Sequence, residues 1–204
     1  MTVTSPRGFR AAGFTAGIKA SGRPDLALVV NDGPLNVAAG VFTGNRFRAA
    51  PVLWSQQVVS DGVLRAVILN SGGANACTGP EGFLDTHRTA ERTSEVLTAL
   101  GTEIGAGDIA VCSTGLIGER LPMDRINAGI DAIAPLLSDD GGADARERPH
   151  GRARLRRRDA GQRGDQDRAG LGLPPRVYDG APAAADDGVV PHPRLRVDRL
   201  AHTA

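Results

Sequence analysis

Residues 111–118 read VCSTGLIG, an apolar run that stops at Ser113-Thr114-Gly115 before a helical pattern begins. Gly115 allows a close backbone approach and can turn its N–H outward, and the Thr114 hydroxyl lies beside it. Two converging donors are what an oxyanion hole needs in order to stabilise a negatively charged acyl oxygen. The same spacing also fits a turn that only redirects the chain, so both interpretations stay open.

A second small-residue stretch, NSGGANACTG (70–79), lies between a predicted strand and a predicted helix, where α/β proteins place ligand loops. It lacks the GxGxxG and GxxxxGK[ST] spacings, which argues against dinucleotide binding and Walker-type phosphate binding. The alternative is a tight crossover in which the Asn70 and Asn75 amides satisfy backbone groups.

Charged residues offer several further candidates. Glu119, Arg120 and Asp124 follow the Thr-Gly turn and either face a substrate or form the solvated start of a helix, the simpler expectation. Lys19, the only lysine, is expected to be a surface charge, with contact to a carboxylate as the alternative.

The histidines and cysteines do not indicate a complete catalytic or metal site. His87 falls on the apolar face of a helical segment and is expected to be a core or boundary residue. Cys77 and Cys112 form no CxxC pair and are expected to be buried, reduced thiols. No His/Cys/Asp/Glu cluster has metal-ligand spacing, and no Ser-His-Asp set is visible, so we expect no metal and no cofactor.

The elements that must position these residues follow from apolar runs and turn signals. Four strands are predicted, at 26–31, 38–43, 63–70 and 108–114, and two helices, at 81–100 and 122–137. This order predicts an α/β fold in which helices cover a sheet.

The helical segments carry more detailed predictions. In the first, the apolar face comprises Phe83, Leu84, His87, Ala90, Val96, Leu97 and Leu100, and Thr78 with Glu81 forms a capping-box pattern. In the second, the apolar stripe comprises Met123, Ile126, Ile130, Ile133 and Leu137.

Bulk composition narrows the class of protein. The chain has 204 residues, is 41% hydrophobic but only 3% aromatic, and carries a net charge of +1. The balanced charge gives no argument for nucleic acid or acidic membranes as partners. The N-terminus lacks the apolar stretch of a signal peptide, and no run approaches the length of a membrane span, so a cytoplasmic protein is expected.

Composition changes sharply near Ala145, which predicts an ordinary domain at 1–145 and an Arg/Pro/Gly-rich tail at 146–204. The tail holds 13 of the 24 basic residues and 6 of the 13 prolines, and it lacks Ile, Phe, Lys, Met and Trp. Such a segment buries too little apolar area to offset its chain entropy, so little fixed structure is expected.

Three explanations could account for the composition of the tail. A basic arm for nucleic acid is opposed by Asp159, Asp165 and Asp167, and only Tyr178 could stack on a base. A linker would lead to no second domain. We favour out-of-frame translation, because a shifted frame of GC-rich DNA yields Arg, Pro, Gly and Ala.

Four stretches resemble the bacterial ornithine acetyltransferases, bifunctional glutamate N-acetyltransferases of arginine biosynthesis. They are GFRAAGFTAGIK, DLALVVNDGPLNVAAGVFTGNRFRAAPV, AVILNSGGANACTGPEG and AVCSTGLIGERLPM, in the family's order, and together they extend over most of 8–142. The resemblance implies a self-processing α/β acyltransferase with a mixed sheet. It implies acetyl transfer from N-acetylornithine, with ornithine as product, or from acetyl-CoA as a co-substrate, to glutamate.

The resemblance also implies roles for residues and a subunit composition. The family's oxyanion-hole Thr-Gly falls on Thr114 and Gly115, and members assemble as heterotetramers of two alpha and two beta chains. The family's nucleophile is a threonine freed by self-cleavage, which forms an acetyl-threonine intermediate. The tail contains no matching segment, and Thr203 lacks the family's context. The chain as written is therefore expected to be a truncated, inactive copy. The alternative is a non-enzymatic pseudoenzyme or a basic-tailed binding protein.

Overall fold

The structure is a computed structural model that describes residues 2–147. The predicted tail at 146–204 therefore lies almost entirely outside the described residues. The elements in chain order are β1 Phe9–Phe14, β2 Leu26–Asn31, α1 Ala50–Val58, β3 Ala66–Gly73, α2 Gly79–Ala99, β4 Ile109–Leu116, α3 Met123–Ile133 and α4 Gly142–Glu147. Short 3-10 turns lie at Val59–Asp61, Ala106–Asp108 and Ala134–Leu136.

The strands form one mixed sheet in the order β1-β2-β3-β4. The first two pairs are antiparallel, and β3 pairs with β4 in parallel. A parallel pair needs a crossover connection, and α2 supplies it. The predicted α/β class, a mixed sheet with covering helices, is confirmed.

The main core lies between one face of the sheet and the helices α2 and α3. Its largest fully buried side chains are Leu26, Leu28, Val30, Ile68, Leu97, Ile109, Ile126, Ile130 and Ile133. The opposite face has a smaller cluster, in which Ala145 of α4 packs with Ala11 and Ala27, and Val29 and Leu69 pack against its edge.

Helix α1 covers the outer edge of β4, an arrangement that the sequence did not predict. Trp54 Nε1 donates to the carbonyl of Ile109 at 2.9 Å. Ser55 Oγ donates to the carbonyl of Val111 at 2.8 Å and accepts from its N–H at 3.0 Å. These side chains satisfy backbone groups that an edge strand would otherwise leave unpaired.

The predicted strand at 38–43 is wrong. Residues 38–43 belong to no strand: the Ala38 N–H donates to the carbonyl of Gly62 at 2.8 Å beside an isolated bridge from Val37 to Val63, and Val41 is exposed. The apolar pattern is real, but β2 is already paired on both sides, by β1 and β3, so the segment finds no free edge beside it.

The remaining strand predictions hold with shifted ends. The prediction at 26–31 matches β2, while β3 and β4 begin and end a few residues later than predicted. Strand β1 was missed because FRAAGF is short and rich in small residues. Antiparallel pairing with β2 makes this segment a strand, although its own residues show no strand pattern.

Helix α2 buries only part of the predicted face, since Ala90 and Leu97 are buried and Val96 packs against the core. Phe83, Leu84 and Leu100 are exposed, and the buried positions are Gly82, Asp85, Thr86, Thr89, Ala90, Thr93 and Leu97. The threonines can be buried because each hydroxyl donates to a carbonyl one turn earlier in the helix.

The predicted capping box of α2 is also wrong. Thr78 occupies the N-cap position but makes no side-chain cap hydrogen bond. Its hydroxyl donates instead to Asn75 Oδ1 at 2.7 Å, so it is committed to the loop before the helix.

Helix α3 confirms its predicted stripe. Ile126, Ile130 and Ile133 are fully buried, and Met123 and Leu137 pack against them at the edge. The helix ends at Ile133 rather than at 137, and a 3-10 turn containing Pro135 follows. Within the described residues, no helix is both long and apolar enough to cross a membrane.

Candidate active site

The parallel pairing of β3 and β4 brings the two small-residue stretches together at the carboxyl ends of their strands. Ser71 is in register with Thr114, and Gly72 is in register with Gly115, with an irregularity at Gly73. Ligand sites of α/β proteins lie at this end of the strands.

Gly115 is required by the close approach of β3. Its φ is +139°, a value that side chains with a Cβ rarely adopt. A Cβ at this position would lie 2.5 Å from the carbonyl carbon of Gly72 and 2.6 Å from the nitrogen of Gly73. No side chain fits there, so the glycine has a structural reason independent of any ligand.

The backbone of β4 also orients the Gly115 N–H. Val111 directs its N–H and carbonyl outward to Ser55 of α1. Backbone groups alternate along a strand, so the Gly115 N–H is expected on the same outer edge, away from β3. A donor on that edge is available to a ligand.

The Thr114 side chain lies on the sheet face opposite the main core. Ser113 Oγ donates to Asn70 Oδ1 at 2.6 Å, which places that pair on the face covered by α2. Alternation then puts Thr114 on the other face. Thr114 is exposed, and its hydroxyl has no hydrogen-bond partner within residues 2–147.

The predicted structural role of the loop asparagines is confirmed. Asn70 Nδ2 donates to the carbonyl of Gly73 at 3.1 Å. Asn75 Nδ2 donates to the carbonyl of Gly82 at 2.8 Å and to Thr86 Oγ1 at 2.9 Å. Asn75 adopts a φ of +47°, which asparagine tolerates better than most residues. These amides shape the loop and are already occupied.

Two backbone hydrogen bonds join the loop after β3 to the segment after β4. Ala74 N–H donates to the carbonyl of Leu116 at 2.8 Å, and Gly118 N–H donates to that of Ala76 at 2.9 Å. Both bonds therefore tie the residues that follow Gly115 to the loop between β3 and α2.

Arg120 forms an ion pair that the sequence did not predict. Its guanidinium donates to both oxygens of Asp85, at 2.7 and 2.9 Å, and lies 3.3 Å from Glu81. Asp85 is fully buried, and its hydrogen bond raises the pKa of Arg120. The pair anchors the segment after the turn to α2.

An open cleft of about 390 Å³ lies beside this anchor. Arg88, Arg125 and Asp124 line it together with the Asp85–Arg120 pair. Glu119 and Asp124 are exposed and form no ion pair in the described part of the chain, which agrees with a solvated helix start.

The predicted burial of Cys77 and Cys112 is wrong, because both are exposed, while the prediction that they are free thiols is confirmed. Cys77 lies in the loop before α2, where its φ is +59°. Cys112 lies on the Thr114 face of β4, where little covers it. Neighbouring atoms still desolvate its sulfur, which raises the pKa of the Cys112 thiol.

His87 is half-buried, with its ring centroid 4.9 Å from that of Trp54, so the prediction of a boundary residue is confirmed. Lys19 is also half-buried, and its ammonium donates to the carbonyl of Pro24 at 3.2 Å rather than lying free on the surface. Burial, followed by the nearby charge of Arg23, lowers the pKa of Lys19.

Ser71 is a residue that the sequence analysis missed. It is 3% exposed, and its hydroxyl has no hydrogen-bond partner among the described residues. The available signal was its position at the end of a strand, directly before two glycines. The predicted lack of a nucleophile concerns the tail, including Thr203, which lies outside the described residues.

Known proteins share this arrangement. The "Arginine biosynthesis bifunctional protein ArgJ" of Streptomyces coelicolor is 64% identical over 145 residues, which cover 71% of this chain and 37% of that protein. The protein of the same name from Mycobacterium tuberculosis is 69% identical over 128 residues, covering 63% of this chain and 32% of the relative. The chain thus spans little more than a third of the curated relatives that it matches.

Two solved structures resemble the fold. The ornithine acetyltransferase of Mycobacterium tuberculosis, solved in complex with ornithine, has a TM-score of 0.70 and 62% identity, and the match covers 71% of this chain and 76% of that one. The arginine biosynthesis bifunctional protein of Bacillus halodurans has a TM-score of 0.62 and 38% identity, covering 71% and 72%. A sequence model of the ArgJ family matches residues 10–148, and the chain belongs to the ArgJ family.

Proposed function

We propose that this chain corresponds to the N-terminal part of an acetyltransferase of arginine biosynthesis. The reaction moves an acetyl group from N2-acetyl-L-ornithine to L-glutamate, with acetyl-CoA as a second acetyl donor. The observation that carries the proposal is the β3–β4 pairing, in which Thr114 and Gly115, both exposed, lie in register with Ser71 and Gly72 at the carboxyl ends of the strands. The ornithine bound by the similar Mycobacterium tuberculosis enzyme supports this substrate class.

In this proposal Thr114 and Gly115 stabilise the oxyanion that forms when the acetyl carbonyl is attacked. Donors that are already oriented need no reorganisation at the moment of reaction, and removal of one such donor typically lowers kcat by about 10² to 10³. The close contact of Gly115 with β3 and the two loop hydrogen bonds supply the rigidity that this role requires.

The nucleophile belongs, in this proposal, to a part of the family protein that residues 1–204 do not contain. A threonine there attacks the acetyl carbonyl, ornithine leaves, and glutamate takes the acetyl group from the acetyl-threonine intermediate. A heterotetramer of two alpha and two beta chains holds the parts together. An oxyanion hole without a nucleophile cannot replace this route.

An assay of the purified 204-residue chain tests the missing nucleophile. We expect no transfer of acetyl from N2-acetyl-L-ornithine to L-glutamate, while the intact Streptomyces coelicolor relative serves as the positive control. Clear turnover by the chain alone contradicts the proposal.

A chimera tests the oxyanion role directly. Residues 1–145 of this chain replace the matching part of the Streptomyces coelicolor relative, with which they share 64% identity. We expect the chimera to transfer acetyl, and Thr114→Val to lower kcat by about 10² or more with KM little changed. Thr43→Val, at an exposed threonine of the segment before α1, is the matched control and should leave kcat unchanged. Equal kcat values for both variants would rule Thr114 out.

A further inference from the structure

Ser71 combines deep burial with an unused hydroxyl. It is 3% exposed, and its Oγ has no hydrogen-bond partner within residues 2–147. Its backbone N–H is satisfied, donating to the carbonyl of Asp25 at 2.8 Å. A buried hydroxyl without a partner destabilises a fold, and alanine would fill nearly the same space without that cost. Such a group in a well-paired sheet calls for an explanation outside packing.

The strand register gives that hydroxyl a specific neighbour. Ser71 is directly in register with Thr114 on the adjacent parallel strand. The preceding pair, Asn70 and Ser113, shares a hydrogen bond on the face toward α2. Alternation therefore places Ser71 and Thr114 together on the opposite face, on strands about 4.8 Å apart. Ser-Thr pairs at such positions can form cross-strand hydrogen bonds.

We propose that Ser71 is a positioning residue for the acyl-binding site. When the carbonyl of an N-acetylated amino acid engages Thr114, the Ser71 hydroxyl donates to Thr114 Oγ1. Because this hydrogen bond occupies one lone pair of Thr114 Oγ1, the hydroxyl proton of Thr114 points toward the acyl oxygen. This inference rests on the proposed function, because it acts through Thr114.

A role in positioning Thr114 accounts for the unpaired hydroxyl of Ser71. A hydroxyl that already donated to a fixed carbonyl could not turn toward Thr114. An unpaired one is free to complete a chain of two hydrogen bonds, in which each bond polarises the next. The destabilisation caused by the unpaired hydroxyl is then the counterpart of a better-oriented donor at Thr114.

The test uses the 204-residue chain and follows the amide signals of residues 111–118 by NMR. Titration with N2-acetyl-L-ornithine should shift the Gly115 amide saturably, and L-ornithine, which lacks the acetyl carbonyl, should not. Ser71→Ala should weaken acetylornithine binding about fivefold, the loss of one neutral hydrogen bond. In a Thr114→Val background, Ser71→Ala should have no further effect, because the residue through which it acts is gone.

Thermal unfolding separates this role from a structural one. Ser71→Ala should unfold at the same temperature as the original chain or higher, because it removes an unpaired buried hydroxyl. Unchanged acetylornithine binding in Ser71→Ala overturns the inference, as does a full additional loss in the Thr114→Val background. Either result leaves the proposed function standing if Thr114→Val alone weakens binding. If the original chain shows no saturable shift, both the acyl site and the role of Ser71 are overturned.

Discussion

Gly115 shows how one residue serves both the fold and the candidate chemistry. Its missing side chain lets β4 lie directly against β3, and strand alternation is expected to turn its N–H to the outer edge. The sequence identified the residue but left open whether the glycine serves an oxyanion hole or only a turn. The structure shows that the contact with Gly72 alone is sufficient reason.

Replacement of Gly115 by alanine should strongly destabilise the protein. The new Cβ would meet backbone atoms at 2.5 and 2.6 Å, and the residue would keep a φ of +139°. We expect a loss of about 3 kcal/mol in the free energy of unfolding, measured by urea titration. Gly107→Ala is the control, since a Cβ there meets nothing within 4 Å, and its cost should stay below about 0.5 kcal/mol. Similar costs for both variants would contradict the argument.

The Arg10–Asp32 pair should make the free energy of unfolding depend on pH in the acid range. Arg10 donates to both carboxylate oxygens, at 2.5 and 2.8 Å, and this hydrogen bonding lowers the pKa of Asp32. The unfolded state therefore binds the proton more readily. The contribution of the pair is complete above the ordinary aspartate pKa, about 3.9, and is lost as the pH falls through the lower folded value.

Asp32→Asn should flatten this acid limb of the stability curve. Both side chains are about a third exposed, so the difference at neutral pH should stay below about 1 kcal/mol. Urea unfolding from pH 2 to pH 7 measures it, with Asp61→Asn as the control, since Asp61 forms no ion pair in the described residues. An acid limb of equal steepness in Asp32→Asn and the original chain would contradict the prediction.

At the level of elements, the least predictable contact is that between α1 and β4. No pattern in residues 50–58 announces that Ser55 will satisfy the N–H and carbonyl of a strand more than fifty positions later. Helix α2 poses a similar difficulty, because its buried face is made of threonines that bond to their own helix. Hydrophobic periodicity therefore assigned Phe83 and Leu84 to the buried face although both are exposed, while it identified Ala90 and Leu97 correctly.

Ser55→Ala should loosen the edge of β4. The change leaves the N–H and carbonyl of Val111 without their partner in a buried setting, which should cost about 2 kcal/mol of unfolding free energy. Hydrogen exchange should report faster exchange at the Val111 amide. Ser60→Ala, at an exposed serine bonded to the carbonyl of Gln57, is the control and should change neither quantity appreciably. Unchanged exchange at Val111 in Ser55→Ala would refute the edge-capping role.

At the scale of the whole molecule, sequence patterns correctly predicted the strands and helices that the order of neighbouring residues determines. Apolar runs located β2, β3 and β4, and three- and four-residue spacing located the buried stripe of α3. The predictions failed where contacts with residues distant in the sequence determine the structure. The segment at 38–43 has a strand-like pattern but no free neighbour, and Ser71 gains its interest only from a register with a strand beyond α2.

The tail at 146–204 gives the last prediction. The apolar residues of both cores run from Ala11 to Ala145, so the domain has its buried area without the tail. A chain shortened to residues 1–149, which keeps the whole of α4, should unfold at the same temperature and urea midpoint as the 204-residue chain. It should also match that chain in showing no salt-sensitive binding to nucleic acid. A lower midpoint would contradict the proposed domain boundary, and salt-sensitive binding lost with the tail would favour a basic binding arm. The gene's nucleotide sequence gives an independent check, because out-of-frame translation requires another frame beyond codon 145 to continue an ordinary apolar pattern.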